Sequence, residues 1–275
     1  MNQETEAQIE LEKLFAKNQL LSRLRREFRQ PEVVELCEQH KLPVDFAIDL
    51  LAQMVLHKRA GIGILVGLLH RHFGTGQGER QDLQDCADMI GKAIESRIVN
   101  WDPIAWQVTV AIETSDEVYA ELELYQYPLP MVIEPQKVRC NRDTGYLTMR
   151  GSLILKGGNH HEDDICLDHI NRVNQVALTI NVDTARMVRN QWKNLDKQKE
   201  DETAKDFQDR VSAFQKYDRN AKEVMEMVFV TGDRFWLTHK YDKRGRTYAQ
   251  GYHVNPQGNA WNKAVVEFAK KEIVR

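Results

Sequence analysis

Apolar residues recur at helical spacing through the first third of the chain. Between residues 4 and 28 they stand among Glu, Lys, Gln and Arg, and this pattern predicts one long helix that ends near Pro31. The first third is predicted to be entirely helical. Its further helices are predicted at 33–39, 44–57, 62–73 and 84–98, separated by Pro43, Gly61 and a glycine-rich stretch at 74–78.

The glycine-rich stretch at 74–78 is predicted to be a connecting turn. It has a superficial likeness to phosphate-binding glycine motifs. However, no strand is predicted before it and no Lys-Ser or Lys-Thr pair closes it, so the donors of a P-loop are missing.

The pattern changes between residues 128 and 155. Two apolar runs flank the polar turn at 141–145, and this arrangement predicts a β-hairpin. Next comes the run His160-His161-Glu162-Asp163-Asp164-Ile165-Cys166, with His169 nearby. These side chains include metal-ligand types, but neighbouring side chains rarely converge on one ion. We therefore favour the start of a helix, capped or supported by Asp163, Asp164 or Asp168, over a metal site.

Two long helical segments are predicted in the second half of the chain. Apolar positions from Ile170 to Ile180 have helical spacing, and the pattern resumes after a break near Asn181 and runs to Trp192. A charged loop at 193–202 follows. From Phe207 to Val228 apolar residues alternate in steps of four and three, which predicts a long helix with one apolar stripe. Two such helices could form a protruding lever.

Composition is that of an ordinary folded domain. Of 275 residues, 42% are hydrophobic and 29% are charged, and no apolar run approaches the roughly 20 residues of a membrane span. The polar, acidic start is unlike a secretory signal, so a cytoplasmic protein without a membrane partner is expected. A net charge of −3 gives no global reason to expect nucleic acid, so any such contact must be local. The four cysteines lack C-x-x-C spacing, which favours reduced, mostly packed thiols.

Positive charge is concentrated in the stretch from Arg234 to Arg246. It holds five Lys or Arg residues and one acid, Asp242, with aromatic residues between and after them. Such a patch suits phosphate neutralisation beside stacked bases or sugars. Gly245 could let a strand approach the main chain, and Asp242 could orient one of Arg244 and Arg246 while the other meets phosphate. The alternative is a surface loop whose charges are merely solvated.

The residues of this stretch resemble a motif of the single-subunit RNA polymerases of bacteriophages and mitochondria. The run Asp242-Lys243-Arg244-Gly245-Arg246 matches the D-x-x-G-R signature that opens the palm domain of that family. The residues at 235–239, Tyr248, the Asn-Pro-Gln-Gly-Asn run at 255–259, Lys263 and a predicted helix start at 266–269 are also similar. Upstream, the Asn-rich segment from Ile170 to Asn181 resembles the thumb, and 89–95 and 128–135 show weaker similarity.

The resemblance implies a mainly α (α+β) fold in three parts. These are a helical amino-terminal domain with a hairpin at 1–160, thumb-like helices at 161–230, and the first strands of an incomplete palm at 231–275. It implies an orienting role for Asp242 and thumb positions at Asn174, Ile180 and Asn181. Its implied nucleic-acid-binding residues are Arg244, Gly245, Arg246, Tyr248, Asn255, Pro256, Gly258 and Lys263.

The family's two metal-binding carboxylates and its fingers helix have no counterpart in this sequence. The resemblance therefore implies no catalytic or metal-binding residue here, and Mg²⁺ held by a large catalytic subunit that completes the palm. The chain is most similar to the small subunit of the two-subunit middle-gene RNA polymerases of some podoviruses. That implies a non-catalytic part of a nucleotidyltransferase that holds template DNA and RNA–DNA hybrid in the cytoplasm of an infected bacterium.

The segment between Ile98 and Pro128 is shorter than the promoter-binding region of typical phage members. It leaves little room for both a recognition loop and an intercalating hairpin, so poor opening of duplex promoters is expected, as is a helper protein that presents single-stranded DNA. Two alternatives are a stand-alone helical nucleic-acid-binding regulator and an artificial fragment of a full-length polymerase. A third is a structural or interaction module with a solvated basic loop.

Overall fold

The computed structural model describes residues 3–74, 79–192 and 195–271, and its contacts divide the chain into two units. The helical unit is Lys17–Gln126, and the composite unit joins Met1–Ala16 to Tyr127–Arg275. The fold is mainly α, with about 52% helix and 10% strand, which confirms the predicted class. The contact boundaries fall at 16 and 126 and do not coincide with the predicted division at 160 and 230.

The predicted helix over residues 4–28 is two helices. Helix α1, Gln3–Phe15, belongs to the composite unit, and α2, Lys17–Phe28, belongs to the helical unit. The break at Ala16 separates two sets of buried side chains, Gln8, Glu12 and Phe15 in α1 and Leu20, Leu24 and Phe28 in α2. Each helix therefore packs in a different core.

The helical unit follows the predicted pattern closely. Its core includes Leu24, Phe46, Leu50, Leu65 and Ile90, all fully buried. Of the glycine-rich stretch, 75–78 lie outside the described residues. After α2 the helices are α3 Pro31–Gln39, α4 Val44–His57, α5 Ile62–Leu69 with a 3₁₀ turn His70–Phe73, α6 Glu79–Glu95 and α7 Asp116–Tyr125.

The helical unit also contains a small antiparallel sheet, so the prediction of an entirely helical first third is wrong at Arg59–Ala60. Strands β1 (Arg59–Ala60), β2 (Val99–Asp102) and β3 (Gln107–Val110) pair in the order β1-β3-β2. The Asp102 Oδ1 atom accepts from the backbone N–H groups of Ile104 (2.9 Å) and Ala105 (3.0 Å), which fixes the β2–β3 turn. Residues 98–128 therefore do house one hairpin, together with α7.

The predicted hairpin at 128–155 is wrong. Its residues form no paired strands with one another, and Met131 and Ile154 instead make isolated bridges to Trp236 and Tyr241. The segment between them, which we call the 136–150 loop, is irregular. The apolar runs pair with residues about a hundred positions later in the chain. The local alternation of apolar and polar residues does not indicate which distant segment a strand will pair with.

The described part of 161–230, the region predicted to be a thumb, contains one long helix rather than two. Helix α8 ends at Asn174 (Leu167–Asn174), and the apolar residues after it form strand β4, Leu178–Ile180, followed by the short helix α9, Val182–Met187. The lever of two long helices is therefore wrong. The second helix is confirmed as α10, Ala204–Thr231, which begins with a capping box between Thr203 and Asp206. Of the charged loop before it, 193–194 are outside the structure's description.

The last segment contributes three strands to two small two-stranded sheets. Strands β5 (His239–Tyr241) and β6 (Thr247–Ala249) are antiparallel, and after helix α11 (Ala260–Val265) strand β7 (Val266–Phe268) pairs with β4. The predicted helix start at 266–269 is wrong, because Val266 pairs with Ile180 and Phe268 with Leu178.

The four cysteines are free, but only Cys37 and Cys86 are buried, so the expectation of mostly packed thiols fails for Cys140 and Cys166. Burial raises the pKa of Cys86 to about 11. In the part of the chain that the structure describes, no helix is long and apolar enough to cross a bilayer.

Candidate nucleic-acid interface

The D-x-x-G-R residues form a tight turn between β5 and β6, which we call the Asp242 turn (242–246). The backbone N–H of Asp242 donates to the Arg246 carbonyl, and that of Gly245 donates to the Asp242 carbonyl, both at 2.9 Å. The Asp242 Oδ1 atom accepts from the N–H groups of Arg244 (2.9 Å) and Arg246 (3.0 Å). Gly245 has a φ of +76°, a conformation that glycine adopts without a steric penalty.

The second carboxylate oxygen of Asp242 orients the guanidinium groups. Its Oδ2 atom accepts from Arg246 Nε (2.8 Å) and lies 2.7 Å from Arg246 Nη2, whereas Arg244 Nε is 3.4 Å away. Partial desolvation opposes ionisation of Asp242, but hydrogen bonds and charge from Arg246 lower its pKa overall. The Arg246 guanidinium also lies 5.5 Å from the centre of the Tyr248 ring. Arg246 is held closely, and Arg244, with 63% of its side chain exposed, is the less constrained cation.

The Asp242 turn forms one wall of an open cavity of about 410 Å³, which we call the basic groove. The other wall comes from residues 155–159, which the Leu155 N–H fastens to the Tyr241 carbonyl at 2.7 Å. The groove contains four cations and one acid that is already paired. Its lining residues are Leu155, Lys156, Asn159, Asp242, Lys243, Arg244, Arg246 and Tyr248.

Sequence reasoning missed Lys156 and Asn159. Lys156 has a φ of +66° and a ψ of 119°, a combination that residues with a side chain rarely adopt. Gly157 and Gly158 follow it, and Asn159 Nδ2 donates to the Leu155 carbonyl at 3.0 Å. A lysine directly before two glycines was the available signal, but nothing in the local pattern placed it opposite a turn more than 80 residues away.

The three predicted thumb positions join elements of the composite unit. Asn174, almost fully buried, has its Oδ1 atom 3.0 Å from His239 Nδ1. Asn181 caps α9 through the Thr184 N–H (2.9 Å) and donates to Glu267 Oε1 (2.6 Å), while Ile180 pairs with Val266. Burial lowers the pKa of His239 to about 4. These contacts tie α8, β4 and α9 to strands β5 and β7.

Five predicted binding residues lie outside the groove lining: Gly245, which is part of the Asp242 turn, and Asn255, Pro256, Gly258 and Lys263. Asn255 Nδ2 donates to the Gly251 carbonyl (2.7 Å), its Oδ1 atom accepts from the Gln257 N–H (2.8 Å), and Pro256 is half-buried. A Cβ on Gly258 would lie 2.9 Å from the Asn255 carbonyl oxygen. Asn255, Pro256 and Gly258 therefore shape the turn between β6 and α11. Lys263 is exposed in the last turn of α11.

The His- and Asp-rich run before α8 fixes loops. His160 has its Nδ1 atom 2.8 Å from Ser152 Oγ and its Nε2 atom 2.9 Å from Glu162 Oε1. The predicted caps are wrong, because the N-cap of α8 is Cys166 and no side chain caps it. Asp168 does lie in the first turn, where a carboxylate is favourable. Within residues 3–74, 79–192 and 195–271, no three His, Cys, Asp or Glu side chains come together in a metal-binding group.

Comparison with models of known protein families and with curated proteins finds no match to this chain.

Proposed function

We propose that this chain is the non-catalytic, nucleic-acid-holding subunit of a phage-type DNA-directed RNA polymerase. In the assembled enzyme it binds template DNA and the RNA–DNA hybrid, while a larger partner chain supplies the catalytic carboxylates and the fingers. The observation that carries the proposal is the Asp242 turn, in which one carboxylate holds two arginines at the edge of an open cationic groove.

The chemistry of the groove suits a phosphodiester backbone. Lys156, Lys243 and Arg244 are exposed and supply charge without a fixed donor pattern for any base, so they would neutralise phosphates of any sequence. Tyr248, beside Arg246, offers an aromatic face on which a base or sugar can stack.

A divalent cation does not fit Asp242. Its Oδ1 atom accepts two backbone N–H groups and its Oδ2 atom faces both arginines, so the oxygens that would bind a metal are occupied by donors. We therefore assign Mg²⁺ and the transfer of nucleotides to the partner. Strand β7 supports a partner here, because among the described residues it pairs with β4 alone, and Phe268 on it is 66% exposed.

The groove is tested by binding a fluorescein-labelled oligothymidylate to the full chain and measuring anisotropy across a salt series. Lys243→Gln/Arg244→Gln should weaken binding and reduce the salt slope by about 1.4, since each phosphate contact to a single strand contributes about 0.7. Arg246 is left intact because its pair with Asp242 also shapes the turn. Lys205→Gln/Lys222→Gln, which removes two exposed charges from α10, is the matched control and should leave the slope unchanged.

The subunit assignment is tested by reconstitution. The chain alone should extend no primer with any divalent metal, and addition of a polypeptide that carries the palm carboxylates and fingers should give synthesis. Nucleotide incorporation by the homogeneous single chain would overturn the assignment. Binding of the oligonucleotide without association with such a polypeptide would favour the alternative, a stand-alone nucleic-acid-binding regulator.

A further inference from the structure

The 136–150 loop encloses a second cationic cavity in the composite unit. This loop groove has a volume of about 500 Å³ and is lined by residues of that loop alone. Its cations are Lys137, Arg139 and Arg150. The acid in its lining is Asp143, whose Oδ2 atom accepts from the Arg139 N–H (2.7 Å) and whose Oδ1 atom pairs with the Arg150 guanidinium. Lys137 and Arg139 are exposed, and among the residues that the structure describes neither of them makes an ion pair.

A buried carboxylate fixes the shape of the loop groove. Glu12 of α1 is fully buried and accepts from the N–H groups of Leu147 (2.8 Å) and Thr148 (2.7 Å) and from Thr148 Oγ1 (2.6 Å). Two residues before Leu147, Gly145 has a φ of +84°, and a Cβ there would lie 3.2 Å from Thr238 Cγ2. The loop is therefore held in one conformation before any ligand binds, which lowers the entropic cost of binding.

A hydrogen-bonded strip of backbone connects the loop groove to the basic groove. The N–H of Gly151 donates to the Arg142 carbonyl (3.0 Å), and that of Leu153 donates to the Asn141 carbonyl (2.8 Å). Two residues further on, the Leu155 N–H donates to the Tyr241 carbonyl, immediately before the Asp242 turn. The two cationic cavities thus lie at the two ends of residues 151–155, within one contact-defined unit.

We propose that the loop groove binds the sugar-phosphate backbone of a single-stranded nucleic acid, as a second anchoring point for a strand that also occupies the basic groove. This inference rests on the proposed function, which makes nucleic acid the ligand of the basic groove. Lys137 offers a flexible point charge and Arg139 a guanidinium that can bind a phosphate through two N–H groups, and such phosphate contacts suit a backbone whose sequence varies. Two anchoring points would set the path of the strand across the composite unit.

The charge contribution is tested with the same oligothymidylate and the same α10 control. Lys137→Gln/Arg139→Gln should reduce the salt slope by about 1.4, because two phosphate contacts to a single strand are lost. In the variant that combines all four substitutions, the reduction of the salt slope should equal the sum of the reductions in the two double variants. An unchanged slope in Lys137→Gln/Arg139→Gln beside a reduced slope in Lys243→Gln/Arg244→Gln would overturn the second anchoring point and leave the proposed function standing. A reduced slope in Lys137→Gln/Arg139→Gln beside an unchanged slope in Lys243→Gln/Arg244→Gln would contradict nucleic-acid binding by the basic groove and leave binding by the loop groove standing.

Cys140 gives a readout inside the loop groove that does not depend on charge. It is exposed and lines the groove, whereas Cys37 and Cys86 are buried. In a Cys166→Ser variant it is the one exposed thiol of the described chain, and serine suits that N-cap position. A saturating oligothymidylate should protect Cys140 from a maleimide, and Lys137→Gln/Arg139→Gln should weaken the protection. Full reactivity of Cys140 in the saturated complex would overturn the inference even if the salt slopes agree with it.

Discussion

At the scale of single residues, the Asp242 turn depends on the backbone conformation of Gly245. The space where its Cβ would lie is open to 4 Å, so in this chain a side chain is disfavoured by the φ of +76° and not by crowding. Gly245→Val should lower the free energy of unfolding by at least about 1–2 kcal/mol, the cost of a left-handed conformation, with more for a β-branched residue. Asparagine tolerates this conformation, so Gly245→Asn is the matched control.

Both Gly245 variants should be compared by denaturant unfolding and by oligothymidylate binding. If Gly245→Asn folds as wild type but binds weakly, a strand approaches the turn closely, as the sequence suggested. Equal stability of the valine and asparagine variants would contradict the argument from φ.

His239 makes the stability of the composite unit depend on pH. Burial lowers its pKa from 6.5 to about 4. Between these two pH values the ring is mostly neutral in the folded protein and mostly protonated in the unfolded chain. Its contribution is fully present above pH 6.5 and is lost as pH falls towards 4. At about 1.4 kcal/mol per pH unit, the loss is about 3 kcal/mol.

The measurement is urea unfolding of wild type and His239→Gln between pH 7 and pH 4. Glutamine keeps a donor for Asn174 Oδ1 but does not titrate, so the difference between the two proteins isolates the histidine. Parallel pH dependence of the two would show that His239 does not carry the effect.

At the scale of elements, the spacing of apolar residues predicted the helices whose positions depend on local sequence alone. Helix α4 was predicted with its bounds and α10 to within a few residues, because each has a continuous apolar stripe that faces one core. The pairing of Asp242 with an arginine could be predicted because these residues lie within five consecutive positions, although the tight turn that they form was not predicted. The 128–155 hairpin and the helix through Ile180 failed because those apolar residues bond to Trp236, Tyr241 and β7, which lie far along the chain. The Lys156 wall of the basic groove was missed for the same reason.

Helix α1 holds the 136–150 loop through Glu12. Glu12→Ala would leave the N–H groups of Leu147 and Thr148 and the Thr148 hydroxyl without their acceptor, at a cost of about 1–3 kcal/mol for each group that stays buried. We expect a loss of about 3 kcal/mol in the free energy of unfolding. Glu10→Ala on the same helix removes an exposed partner of Lys13 and should change stability by less than about 0.5 kcal/mol.

Chemical denaturation of the Glu12→Ala and Glu10→Ala variants distinguishes the loss of the buried hydrogen bonds to residues 147–148 from the loss of an exposed charge on the helix. Similar stability of the two would mean that water replaces Glu12 as the acceptor. The two variants should also differ in the rate at which a maleimide modifies Cys140, because release of the loop in Glu12→Ala would alter the groove around that thiol.

At the scale of the whole molecule, the division into two units is the feature that the sequence did not predict. A helical pattern that runs from residue 4 to residue 28 gives no reason to assign α1 and α2 to different cores. The contacts of the buried side chains assign α1 to the composite unit. Gln8 and Glu12 accept hydrogen bonds from backbone N–H groups at 132 and at 147–148, which belong to that unit. The helical unit, with its own core, presents the tip of the β2–β3 hairpin, where Ile104 and Trp106 are 93% and 75% exposed.

For the polymerase subunit that we propose, this exposed tip bears on the opening of duplex DNA. Opening a duplex breaks stacking worth about 1.4 kcal/mol per base-pair step, so the reconstituted enzyme should still initiate better on a heteroduplex bubble than on linear duplex. Apolar side chains inserted between base steps can offset part of that cost. Ile104→Ser/Trp106→Ser should therefore reduce initiation on duplex further and leave initiation on the bubble unchanged. Ile64→Ser, which removes an exposed apolar residue from α5, should alter neither. A loss on both templates would assign the tip to subunit assembly, and equal wild-type initiation on both would show that promoter opening needs no helper.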